Sequence, residues 1–123
     1  MRHLKIFNVE KLGDILVVTP MGEGSAFRYQ DLHLESNVIR QQMMKPENKH
    51  LVMNLAQLTY FGSEFIGSLV SMMRETRARG GQARFCSANE QMKQVLQNMS
   101  LFKLWPHFDS IEDALANIKE TGK

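Results

Sequence analysis

Only one cysteine and three prolines occur in 123 residues. The lone thiol, Cys86, cannot close an internal disulfide, so the stapled frameworks of small secreted domains are excluded and a reducing compartment is implied. Charge of either sign is scarce in excess: 15 Lys and Arg against 13 Asp and Glu leave a formal net charge of +2. So weak a field does not draw a chain to nucleic acid or anionic lipid. No apolar run approaches the ~20 residues that a membrane helix needs. The N-terminal segment has neither the charged start nor the apolar run of a signal peptide. The expectation is a cytoplasmic protein with no nucleic-acid partner, no membrane partner and no cofactor.

What is present suits a folded domain. The hydrophobic fraction of 43% against 23% charged is enough apolar material for one core, and it sets aside disorder as the main state. The length suits a single domain, residues 1–123, with a tail frayed over about 120–123. The densest basic group, Arg74, Arg77, Arg79 and Arg84 with Glu75 inside it, reads as a solvated helix face. Cys86 follows Ala83-Arg84-Phe85 and reads as a core thiol.

The order of elements follows from periodicity. Leu4 to Val9 reads as a strand, Lys11-Leu12-Gly13-Asp14 as a turn, and Ile15 to Thr19 as a β-branched buried strand, together a hairpin. Pro20 and Gly22-Glu23-Gly24-Ser25 form a loop. Tyr29 to Met44 is helical, with Leu34, Val38, Ile39 and Met43 on its apolar face. Leu51 to Leu55 is a core strand. A helix from about Glu64 to Arg79 turns Phe65, Ile66, Leu69, Met72, Met73 and Thr76 inward and stops at Gly80-Gly81. Gln82 to Cys86 is a third core strand. Ser87 and Glu90 have capping-box spacing before a helix carrying Met92, Val95, Leu96 and Met99. Leu104 to Phe108 reads as a short edge strand, and Ser110 caps a last helix reaching about Lys119. Strands alternating with helices predict an α/β fold with a largely parallel sheet, made mixed by the leading hairpin.

Enzyme signatures fail on inspection. Gly62 and Gly67 have the spacing of a phosphate-binding loop, but Ser68-Leu69 stands where Lys and Ser or Thr are required. Gly22-Glu23-Gly24 begins a dinucleotide fingerprint that breaks at Phe27. Ser63 has Phe61 and Phe65, not glycines, two residues to either side, so it is no nucleophile elbow. His3, His33, His50 and His107 are scattered, none at metal-ligand spacing. Asp109, Glu112 and Asp113 sit where a helix dipole favours carboxylates, which accounts for them without chemistry.

One stretch remains, Leu51 to Gly67, in which a buried strand, a short apolar loop and a helix beginning near Ser63 succeed one another. Ser63 reads as a helix cap. At such a terminus the free amides and the dipole favour an anion, and a phosphoryl group would bring about −1.5 to −2 charges. Asn54-Leu55, Tyr60-Phe61-Gly62-Ser63 and Gly67, then Arg79-Gly80-Gly81 before Gln82 to Phe85, then Val95 to Leu115, form an ordered set. In that set the chain resembles the STAS domain family, whose best-known members are bacterial anti-sigma factor antagonists. The resemblance implies a mixed sheet of about 4–5 strands with about 4 helices packed mainly on one side. It also implies partner switching: binding to a serine kinase that doubles as an anti-sigma factor, release when that kinase phosphorylates the serine, and reversal by a metal-dependent phosphatase. Carried over, the acceptor is Ser63 and the contact surface is Gly22, Glu23, Ser25, Tyr60, Phe61, Gly62 and Glu64. Gly62 and Asn54 stand where the family has Asp, so two carboxylates beside the acceptor are missing. A constitutive STAS scaffold or adaptor, and a small-ligand sensor using the loops beside Gly22 and Gly62, are the alternative functions.

Overall fold

In the computed structural model, which describes residues 4–23, 29–60 and 63–121, the chain opens with an antiparallel hairpin. Strand β1 (Phe7–Leu12) pairs with β2 (Ile15–Pro20) through a turn in which Gly13 has φ +65°, a conformation that glycine takes without strain. The first strand starts later than expected. The Glu35 carboxylate accepts the backbone N–H groups of Lys5, Ile6 and Phe7 at 3.0, 2.8 and 3.2 Å, so this segment is tied to a side chain before its ladder begins. Two-residue strand β3 (Gly22–Glu23) and helix α1 (Tyr29–Met43) follow. Next come β4 (His50–Asn54), β5 (Leu58–Tyr60) and α2 (Ser63–Ala78). Strand β6 (Ala83–Cys86), helices α3 (Glu90–Asn98) and α4 (Leu101–Leu104), strand β7 (His107–Phe108) and α5 (Ile111–Thr121) complete the order.

The main sheet has five strands in the order β1-β2-β4-β6-β7, with every pair after the hairpin parallel. The parallel strands are added in one direction, so crossovers of a single hand leave their helices on one face. Residues of all four of these helices, Ile39 of α1, Leu69 of α2, Leu96 of α3 and Leu101 of α4, belong to one core with Leu16, Val18, Leu51, Met53 and Phe85 of the sheet. The opposite face is left to α5, whose Ala114 and Ile118 cover Ile15, Val17, Val52 and Cys86. The alternation along each strand sorts these residues, because neighbouring side chains point to opposite faces. Cys86 is therefore buried, and burial raises its thiol pKa.

Three local readings are corrected. Leu34 is 63% exposed, because α1 turns Leu32, Glu35 and Ser36 inward with Ile39 and Met43; the carboxylate that holds residues 5–7 sets this rotation. The cap of α3 is Asn89, whose Oδ1 accepts the Met92 N–H at 2.8 Å. Ser87 instead adopts φ +63° and donates its N–H to Phe108 O, extending the β6–β7 ladder. Leu104 ends a one-turn helix rather than opening a strand; the Trp105 N–H bonds back to Leu101 O, and both residues are buried. Ser110 does cap α5, accepting the Asp113 N–H at 3.1 Å. All six positions of α2 expected to face inward are buried.

Two packing details carry consequences. Gly80 (φ +85°) and Gly81 end α2, and Gly81 lies against the backbone of Lys49, just before β4. A Cβ there would be driven into the Lys49 carbonyl, a backbone group that the start of β4 holds in place. Gly81→Ala should therefore lower stability by about 2–3 kcal/mol in denaturant melts.

His50 is buried, with Nδ1 accepting the Gln82 N–H at 2.9 Å and Nε2 3.6 Å from Asp14 Oδ2. Burial holds its pKa below the ordinary 6.5; Asp14 raises it, while Lys49 and Arg84 lower it further. Burial also depresses His107, whose Nε2 accepts the Ala88 N–H. Between the depressed native values and the ordinary one, the unfolded chain binds more protons than the native state. Stability is thus complete above pH ~6.5 and falls as pH drops below it. Unfolding followed from pH 7.5 to 5 should show this loss, and His50→Asn, which keeps an acceptor for Gln82, should reduce its slope.

Candidate functional site

Strands β2 and β4 are parallel neighbours, with Val17 opposite Val52 and Val18 opposite Met53. Chain leaving the C-terminal ends of both therefore emerges on the same side of the molecule. There it pairs again: β3 and β5 form a small parallel ribbon with Gly22 opposite Leu58 and Glu23 opposite Tyr60. The ribbon was not legible as strands, since two or three residues carry no periodic signal.

The ribbon stands on buried residues. Leu55 is completely buried and donates its N–H to Cys86 O at 2.9 Å, which extends the β4–β6 ladder by one rung. Leu58 is also buried, and its N–H bonds back to Leu55 O. Between them the Asn54 side chain accepts the Ala56 N–H at 3.1 Å, a local bond that shapes the turn. Met21, at the start of the other arm, donates its N–H to Ile6 O at 2.9 Å.

Helix α2 begins at Ser63. Its first turn is anchored by Phe65, which stacks on Phe7 with ring centroids 5.7 Å apart and an interplanar angle of 23°. Phe65, Ile66 and Leu69 are buried, so the 100° step of a helix assigns the exposed Gly67 to the opposite face. An added Cβ on Gly67 would meet nothing within 4 Å.

Of the residues singled out from the sequence, the structure brings together the backbones of Gly22, Glu23 and Tyr60 in the ribbon, and places Ser63 and Glu64 in the first turn of the helix that follows. Ser25, Phe61 and Gly62 lie outside the described residues, as do the side chains of Glu23, Tyr60, Ser63 and Glu64. The hydroxyl of Ser63, read from the sequence as a cap, therefore lies outside the description too. Among the described residues no three His, Cys, Asp or Glu side chains are gathered as a metal site requires. None of the described helices is long and apolar enough to cross a membrane.

Comparison with known proteins agrees with this layout. The profile of the STAS domain family matches residues 7–114. An anti-sigma F factor antagonist of Paenibacillus polymyxa is 25% identical over 91 residues, 71% of this chain and 78% of the relative. The anti-sigma factor antagonist SpoIIAA in its unphosphorylated form superposes with a TM-score of 0.76 at 17% identity, over 93% of this chain and 96% of that one. The phosphorylated form of the Bacillus cell fate determinant SpoIIAA gives a TM-score of 0.72 at 19% identity, over 91% and 98%.

The Asn54 bond is open to direct measurement. Asn54→Ala should cost about 0.5–1.5 kcal/mol in denaturant melts. Asn54→Asp keeps the acceptor and should stay within about 0.5 kcal/mol of the natural chain at neutral pH.

Proposed function

The chain belongs to the STAS domain family, and from that premise we propose that it is an anti-sigma factor antagonist whose docking surface is the β3–β5 ribbon and the start of α2. Its partner is an anti-sigma factor that is also a serine kinase. Binding of the unmodified chain sequesters that partner in the cytoplasm and so regulates transcription. Phosphorylation of Ser63 ends the complex, and a metal-dependent phosphatase restores it. The relative from Paenibacillus polymyxa and the two SpoIIAA structures, one of them phosphorylated, support the reading.

The observation that carries it is the ribbon. Parallel pairing of Glu23 with Tyr60 sets the Gly22–Glu23 arm beside the strand that leads into α2, so two segments far apart in sequence make one surface. A phosphoryl group at the helix start suits the free amides and the positive end of the dipole, so the domain tolerates it. A protein packed over the ribbon does not, because it must desolvate the new charge. The switch therefore acts through the interface and requires no refolding.

Asn54 favours a second reading, a constitutive adaptor. Its side chain holds the Ala56 N–H, while the acidic residues that the family has there and before the serine are Asn54 and Gly62 in this chain. In that case Ser63 only serves the helix.

One pair of experiments separates the readings. Incubation with the kinase and ATP, followed by mass spectrometry, should place phosphate on Ser63. Ser63→Asp should weaken partner binding by well over tenfold, more than ~1.4 kcal/mol, in a calorimetric titration. An unphosphorylated Ser63 with unchanged affinity in the Asp variant selects the adaptor.

A further inference from the structure

The outer face of α2 continues from the proposed docking surface along the whole helix. Positions 67, 70, 71, 74 and 78 recur at three- and four-residue spacings and form one stripe. Between Gly67 and Ala78 this stripe borders a groove of about 420 Å³, lined also by Val70, Ser71, Arg74 and Glu75. Those eleven steps span about 16 Å, three turns of helix.

Two residues of the groove, Gly67 and Arg74, have no packing or pairing role among the described residues. Gly67 is exposed in mid-helix, where glycine costs roughly 1 kcal/mol relative to alanine, yet a Cβ there would touch nothing. Internal packing therefore does not account for it. Val70, between Gly67 and Arg74, packs against the core with part of its side chain and presents the rest to the groove. Arg74 is exposed and makes no hydrogen bond or ion pair with any described residue.

The charges around Arg74 give the groove a sign. Glu75, its one acidic lining residue, is 3.7 Å from Arg40 Nε across the α1–α2 contact, and Arg40 also donates to Ser71 Oγ. That carboxylate is matched by a cation of its own. Arg77, one turn beyond Arg74, is exposed and likewise makes no ion pair with a described residue. The surplus charge is positive.

We propose that this groove takes a helix of the partner protein, packed across Gly67 and Val70 and carrying a carboxylate that pairs with Arg74. A residue without a side chain at the crossing point lets two helix axes approach closely, since interaxial distance is set by the side chains at the contact. The guanidinium then supplies a fork that a carboxylate fits in bidentate fashion. The inference rests on the docking reading above and extends it: the surface near Ser63 decides whether the partner stays, and the groove decides which partner fits.

The test titrates the purified kinase that acts as anti-sigma factor against the full chain and its variants. Arg74→Glu should weaken binding at least tenfold, with the difference shrinking between 0.05 and 0.5 M salt, on the order expected for a charge pair at a surface. Arg74→Lys should keep most of the affinity. Gly67→Gln should weaken binding at least tenfold, whereas Gly67→Ala should raise the melting temperature of the free chain. Reversal of the facing acidic residue on the kinase should restore binding to Arg74→Glu. If Ser63→Asp abolishes binding while Arg74→Glu and Gly67→Gln bind normally, the groove proposal is overturned and the docking reading stands. A kinase that binds all variants equally, or does not bind the natural chain, overturns both. Self-association of the chain that Arg74→Glu abolishes, seen by sedimentation, assigns the groove to a second copy and also overturns it.

Discussion

The parallel pairing of β4 with its two neighbours is the constraint on which the rest of this molecule depends. Leu51, Val52 and Met53 are completely buried, and the strand lies between β2 and β6 with side chains packed on both faces. Such a strand has little freedom in register, because a slip of one residue would exchange the two faces. Its entry is held by the Lys49 and His50 N–H groups, both bonded to Asp14 O, and by Gly81 packed against Lys49. Its exit is held by the rung from Leu55 to Cys86. Whatever β4 delivers at its C-terminal end is therefore delivered to a fixed place.

What it delivers is the ribbon and α2. The ribbon exists because two adjacent parallel strands release their chains side by side, and α2 follows because Phe65 finds Phe7 and the inward stripe finds the sheet. The titratable residues that first suggest chemistry are occupied in the same scaffold. His50 and His107 each accept a backbone N–H, Glu35 accepts three, and Cys86 is sealed beneath α5. In our reading function lies on the surface at the end of the strands, and the stability of the scaffold is what keeps that surface in shape.

Much of this was legible from the chain alone where a pattern ran long enough. The inward face of α2 repeats over about three turns, and each of its six inward positions is buried. The Ser110 cap was legible from one residue type at one spacing. Reading failed where a competing bond took the residue. Leu34 looked apolar and inward, but Glu35 beside it was claimed by the backbone of residues 5–7, a contact some 29 residues away that no local window contains. Ser87 had the spacing of a cap, but its N–H belongs to the β6–β7 ladder, and Asn89 caps the helix instead. Arg74 read as part of a solvated helix face and is exposed there; the groove beside it becomes visible only in the tertiary structure.

By itself the sequence determined the alternation of strands and helices, the buried strands, the stops at Gly80-Gly81 and the family resemblance, because these are written in periods and short motifs that act within a turn or two of chain. Tertiary structure alone decided the pairing of β3 with β5, the rotation of α1, the placement of α5 on the far face and the groove along α2. Each of these joins residues far apart in the chain, and their energies come from burial and hydrogen bonds that exist only after the sheet has brought those residues together.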